Sequence, residues 1–153
     1  MLCEALGFFR HVGCIQTHAG HKEPVKCVAR MDKTTFLSVN GDVVVTTKLW
    51  NVDSGHCVCS LKMSGSAHSV APVDGKRVLA SVASADGNNI DLWNIAGGKC
   101  TRTFKGHRDP VVMVKLLDEL TFVSASWDRS LTSWDRTSWP FCETSGSVTE
   151  TRQ

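Results

Sequence analysis

Gly106-His107, then Ser124-Ala125-Ser126-Trp127-Asp128, then Ser133-Trp134-Asp135, is the stretch that decides the fold. It reads as a glycine-histidine opening, a serine-bearing strand, a tight turn ending in aspartate, and a strand closing on tryptophan-aspartate. The same order recurs earlier as Gly20-His21, Ser38, Asp42 and Trp50-Asn51. Ser38 follows His21 by 17 positions, as Ser124 follows His107; Asp42 and Asp128 each follow their histidine by 21. Agreement at several separate positions marks an internal repeat built of strands. Cys14, Cys57, Cys100 and Cys142 are separated by 43, 43 and 42 positions, and Trp50, Trp93 and Trp134 by 43 and 41.

Each unit resolves into strands by alternation of apolar and polar side chains. In the first unit these are expected over residues 25–28, 35–39, 45–52 and 56–61, with turns at Asn40-Gly41-Asp42 and Asp53-Ser54-Gly55. Pro24, Pro72, Pro110 and Pro140 fall at strand starts or connections, where a missing amide hydrogen costs least. The middle unit departs from the pattern. Met63-Ser64 stands where a glycine-histidine pair belongs, and the polar network there is in doubt. Its second strand is expected over residues 77–81 and its third over residues 90–94, with Asp86-Gly87-Asn88-Asn89 as the turn.

A period in the low forties with these signatures resembles the WD-repeat β-propeller family, over residues 13–143. The resemblance implies an all-β fold of three four-stranded antiparallel blades in an incomplete ring. Residues 1–12 form an N-terminal extension and residues 144–153 a polar tail. Gly13-Cys14-Ile15-Gln16-Thr17 matches the fourth-strand pattern of Gly98-Lys99-Cys100-Thr101-Arg102-Thr103, so the chain opens with an orphan outer strand. The last fourth strand falls near Phe141-Cys142-Glu143. Propellers close with about 4–8 blades, so three leave open faces and an edge.

The resemblance also assigns roles. His107, Ser124, Asp128 and Trp134 form a structural tetrad in which aspartate accepts from histidine, histidine reaches serine, and serine bonds the indole. His21, Ser38, Asp42 and Trp50 can play the same parts. The step from Asp42 to Trp50 is 8 positions rather than 6, and a bulge is expected to absorb the difference. A serine, histidine and aspartate also suggest a hydrolase, but the tryptophan spacing and the repetition account for the same residues. Trp127, Val112 and Pro110 would face the wide top surface of the third unit, with Lys26, Pro24 and Gly41 in the first. Trp127 with its apolar neighbours is an anchor of the kind that dominates binding energy.

Composition narrows the classes further. Hydrophobic residues at 42% and charged residues at 21% describe a globular chain, and a net charge of +2 implies no strong field for nucleic acid or an anionic membrane. No apolar run approaches the ~18 residues of a membrane span. Residues 1–9 lack the basic start of a secretory signal, so a cytoplasmic or nuclear location is expected. The seven cysteines then read as small apolar strand residues in a reducing compartment. His18 with His21, and His56-Cys57 with Cys59, lack the paired spacing of a zinc site, so no metal and no cofactor is expected. The expected function is a non-catalytic scaffold for protein partners, a subunit or fragment that completes a propeller with itself or with another propeller chain. The alternative is a module binding RNA or a ribosomal surface through Arg102, Lys105, Arg108, Arg129 and Arg136.

Overall fold

The structure, a computed structural model, describes residues 13–41, 44–85 and 87–137. Among these the chain is all-β: eleven strands in three antiparallel sheets and no helix. The first sheet takes β1 (Val25–Arg30), β2 (Thr35–Asn40), β3 (Val44–Asn51) and β4 (Cys57–Ser64) in chain order. The second takes β5 (Val70–Pro72), β6 (Arg77–Ser84), β7 (Gly87–Asn94) and β8 (Lys99–His107) in the same way. The third is β9 (Val111–Leu116), β10 (Thr121–Ser126) and β11 (Leu131–Asp135). The expected extension, the fourth strand near Phe141-Cys142, the tail, Asp42 and Asp86 lie outside the described residues.

The sheets stack as blades, and each junction has its own apolar core. Leu37, Val39 and Val45 of the first blade meet Val70, Val78 and Val82 of the second. Leu79, Ile90 and Phe104 of the second meet Val111, Val114 and Phe122 of the third. Each fully buried Val or Leu is worth about 1.5–3 kcal/mol relative to exposure. A strand sends alternate residues to its two faces, so the middle blade builds half of each core.

A second repeating device joins the first two strands of every blade. Asp32 Oδ1 accepts from Thr34 N and Thr35 N at 2.7 Å each. Asp74 Oδ1 accepts from Lys76 N and Arg77 N at 2.8 Å, and Asp118 Oδ1 from Leu120 N and Thr121 N at 2.7 Å. A carboxylate that satisfies two turn amides fixes the hairpin together with the backbone bonds from Met31 N to Thr35 O, Val73 N to Arg77 O and Leu117 N to Thr121 O.

Three expectations are corrected. The described β2–β3 ladder, from Thr35↔Asn51 to Val39↔Thr47, runs without a register shift, so the expected bulge is absent from it. Ser38 pairs with Lys48 and Ser124 with Thr132, each two residues before its tryptophan. The expected turn in the middle blade is strand: the β6–β7 ladder continues to Ser84↔Gly87. Gly87, at φ 125°, supports the reversal there. The opening residues 13–17 carry no strand, because a strand exists only through a ladder and no described residue pairs with them. Cys57 and Cys100 lie in strands as expected while Cys14 does not, and all three are exposed, each thiol meeting the carbonyl two residues on.

Residues 13–21 nevertheless occupy the fourth-strand place against the first blade. Phe104 of β8 packs its ring edge-on to Phe122 at 4.9 Å and to Trp134 at 5.8 Å. His18 does the same to Phe36 at 5.0 Å and Trp50 at 5.6 Å. Arg102 Nη1 donates to Arg136 O, two residues past Trp134. The Gln16 amide nitrogen, in the orientation that satisfies both ends, donates to Val52 O at 2.8 Å, two residues past Trp50. Gly20 then passes so close to Trp50 that an added Cβ would stand 3.1 Å from its ring.

Candidate functional site

The third blade holds the complete tetrad. His107, at the end of β8, places Nδ1 2.8 Å from Asp128 Oδ2 and Nε2 2.7 Å from Ser124 Oγ. Trp134 Nε1 donates to Ser124 Oγ at 2.7 Å. An ionised carboxylate only accepts, so Nδ1 carries the proton and Nε2 accepts from the serine hydroxyl. Burial pushes the Asp128 carboxyl up. The Ser130 hydroxyl, the Arg108 amide, His107 and the Ser130 amide outweigh it and hold it far below the usual carboxylate range. Ser124 is fully buried, with its oxygen held between the imidazole and the indole.

The first blade repeats three of these four positions. His21 Nε2 lies 2.6 Å from Ser38 Oγ, and Trp50 Nε1 donates to the same oxygen at 2.6 Å. His21 Nδ1 is buried and has no hydrogen-bond partner among the described residues. Burial, helped by the charge of Lys48, lowers the His21 pKa.

The middle blade lacks the network, and the ladder shows why. Trp93 pairs with Val78, so the serine position two residues on is Ala80 and not Ser81. Val78, Ala80 and Val82 face the first blade, which puts Leu79 and Ser81 on the other face. Trp93 Nε1 is buried and reaches no serine hydroxyl; its indole instead stands near the Asp91 carboxyl, which it helps to hold down against burial. Ser81 Oγ instead accepts from Ser69 N at 2.9 Å and His68 N at 3.2 Å, bracing the start of β5.

At the end of the blades near Asp128, the first strands open with β-bulges. The register shifts between Val25 and Cys27 in β1 and at Val111 in β9, so the extra residues are Lys26 and Val112. In the middle blade Ser81 N bonds Ser69 O while Ala83 pairs with Ser66, which makes His68 the corresponding residue. Lys26, His68 and Val112 each stand six residues before the turn aspartates Asp32, Asp74 and Asp118. That spacing was the available signal for His68, which the 43-residue period misses. Trp127 is 65% exposed, its amide donating to Pro110 O at 3.1 Å and its ring centre 6.0 Å from that of His68. Pro110 and Val112 lie half-buried beside it, and Lys26 is exposed, its stem lying over Gly41. Burial and the charge of Lys26 both lower the His68 pKa. Lys26, His68 and Trp127 thus contribute one residue from each blade.

The basic residues do not form one free face. Arg102 bonds Arg136 O and lies over the Phe104 ring at 4.6 Å. Arg136 is half-buried, while Lys105, Arg108 and Arg129 are exposed. His18 and His21 are held against Trp50.

Stacked antiparallel blades, the first and third locked at their corners by a histidine-serine-tryptophan relay, define a propeller-type repeat protein. The chain belongs to the WD-repeat family. The profile described as WD domain, G-beta repeat matches residues 98–135, which carry the complete tetrad's strands. The chain is 35% identical over 92 residues to Autophagy-related protein 16 of Arabidopsis thaliana, covering 58% of this chain and 18% of that protein. It is 30% identical over 145 residues to the Ribosome biogenesis protein WDR12 homolog of Drosophila erecta, covering 79% of this chain and 34% of that protein. To F-box/WD-40 repeat-containing protein At5g21040 of Arabidopsis thaliana it is 28% identical over 135 residues, covering 81% and 24%. The chain therefore spans about a third or less of the length of these relatives.

Proposed function

We propose that the chain is a non-catalytic protein-interaction scaffold that engages partners through Lys26, His68 and Trp127, flanked by Val112 and Pro110, and that completes its ring with itself or with another propeller chain. The observation that carries this reading is the Trp127 ring, held in solvent by a backbone bond and a histidine while the potentially reactive groups are shut away. An exposed tryptophan beside half-buried apolar neighbours supports a binding hot spot. Ser124, buried and bonded on both sides, has no open approach for a substrate, which supports a scaffold over a hydrolase. Quantitative affinity purification of the wild type against Trp127→Ala tests it. A set of partners should drop by about 2 kcal/mol or more in affinity, with the fold unchanged. An identical partner set for both proteins would overturn the role of this surface.

A second reading, ribosomal association, is favoured by the ribosome biogenesis names of two relatives, the WDR12 homolog of Drosophila erecta and YTM1 of Saccharomyces cerevisiae. Lys105, Arg108 and Arg129 would supply its charge. Co-sedimentation with ribosomal precursors that survives the Trp127 change but is lost on nuclease treatment would favour it. Fluorescent tagging would place the chain in the cytoplasm or the nucleus.

A further inference from the structure

Each blade brings one unsatisfied donor to the surface around Trp127. Lys26 is the bulge residue of the first blade, His68 its counterpart in the second, and Trp127 stands in the turn between β10 and β11 of the third. Their backbones are held in place. The His68 amide donates to Ser81 Oγ at 3.2 Å and the Trp127 amide to Pro110 O at 3.1 Å. The Lys26 stem lies over Gly41, whose carbonyl accepts from Ser66 Oγ, at the entry to the middle blade, at 3.3 Å. The side chains are not held in this way. Among the described residues, no hydrogen bond or ion pair takes the Lys26 ammonium, the His68 ring nitrogens or the Trp127 indole N–H. Lysine and tryptophan only donate, and a protonated imidazole donates from both nitrogens. Three donors from three blades thus share a surface with no acceptor among them.

We infer that this surface takes a carboxylate from an acidic segment of a protein partner, seated against Lys26 and His68 with an apolar neighbour on Trp127, and that protonation of His68 tightens the contact. This deepens the reading of Trp127 as a partner-binding residue and rests on it. In the free protein the half-buried imidazole is kept neutral near pH 7 by burial and by the charge of Lys26. Lys26 is the charge that bears on it. Glu23, Asp109 and Arg129, on the neighbouring segments of the first and third blades, are exposed and do not pair with it. Asp128 is turned away to His107, the Arg108 amide and Ser130. A carboxylate placed against Lys26 would offset its charge and favour the imidazolium, so proton and partner would each promote the binding of the other. The three residues include no arginine, whose planar fork suits a phosphate, so the matched anion is a carboxylate.

A random peptide library displayed on phage, selected on the full chain at about pH 5.5 and counterselected on Trp127→Ala, supplies the probes. Peptides that require Trp127 should be enriched in aspartate or glutamate close to an apolar residue. A synthetic peptide of the enriched sequence should bind about threefold or more tightly at about pH 5.5 than at about pH 7.5. His68→Gln should remove that pH dependence, and Lys26→Gln should weaken binding at both values, with circular dichroism confirming the sheets in each case. Replacing the acidic residue of the peptide by its amide, which leaves the protein untouched, should remove both the pH dependence and most of the affinity. Trp127-dependent peptides without acidic residues, full affinity of the amide peptide, a pH dependence that survives His68→Gln, or tighter binding of a phosphoserine peptide would each overturn this inference while leaving Trp127 as a partner-binding residue. Failure to select any Trp127-dependent peptide would overturn both.

Discussion

Ser124 and Ala80 occupy the same place in two blades and differ by one hydroxyl. In the third blade that oxygen takes the Trp134 indole and serves His107; in the second, the buried Trp93 N–H has no hydroxyl at that place to bond. Removing the oxygen by Ser124→Ala should destabilise the protein by about 2 kcal/mol or more, because two buried polar groups lose their partner. Supplying it by Ala80→Ser should stabilise by about 1 kcal/mol, or about 2–4 °C in Tm for a chain of this size. Calorimetric melts of both variants check the pair, and equal melting temperatures would remove the account given for Trp93. Protonation acts at the same scale. The lowered pKa values of His21 and His68 mean that the unfolded chain binds more protons than the folded one as pH falls below about 6.5. Stability should therefore decline below that pH. A second, steeper loss should set in below about pH 4, where Asp128, Asp32, Asp74 and Asp118, all held below the ordinary value, must be protonated. Asp91 works in the opposite direction, since burial raises its pKa. Urea midpoints between pH 3 and 8 follow both windows, and Asp128→Asn should flatten the lower one.

Among the elements, the middle blade shows how far one register step reaches. Sequence spacing places Ser81 with Ser38, yet the ladder gives that place to Ala80, because Val78, Ala80 and Val82 must fill the core against the first blade. Side chains alternate along a strand, so a single step exchanges its faces, and the more apolar set takes the junction with the first blade. The connection from β4 into β5 depends on a close approach. Gly65 adopts φ 103°, and a Cβ there would stand 2.5 Å from Ala83 O, beside the Ser66–Ala83 bridge. Gly65→Ala should cost more than about 1 kcal/mol, whereas Gly75→Ala, with nothing within 4 Å, should be neutral or slightly stabilising. Thermal melts of the two variants separate conformational strain from a general intolerance of substitution. The strands of the first blade were readable within a residue or two at most ends, since each is bounded by turn residues. The β6–β7 hairpin was not, because Asn88 and Asn89 read as turn but are carried by the ladder.

Across the whole molecule, the surface proposed to meet partners and the faces that pack blade on blade are different. Trp127→Ala should leave the melting temperature unchanged within about 0.5 kcal/mol, since the ring is exposed and its anchoring bond is made by the backbone. A large loss of stability would instead make Trp127 part of the packing.

The sequence alone determined the repeat, the strand character of each unit, the tetrad of the third blade and the serine and histidine of the first. These are local facts, fixed by alternation, turn residues and spacing. Tertiary structure decided which serine of the middle blade reaches its tryptophan, that His68 joins Lys26 and Trp127, and that residues 13–21 take the fourth-strand place without becoming a strand. Each of these depends on which face of a strand packs against its neighbour. That choice is made by the competition among apolar side chains for the junctions between blades, which no single segment of the chain contains.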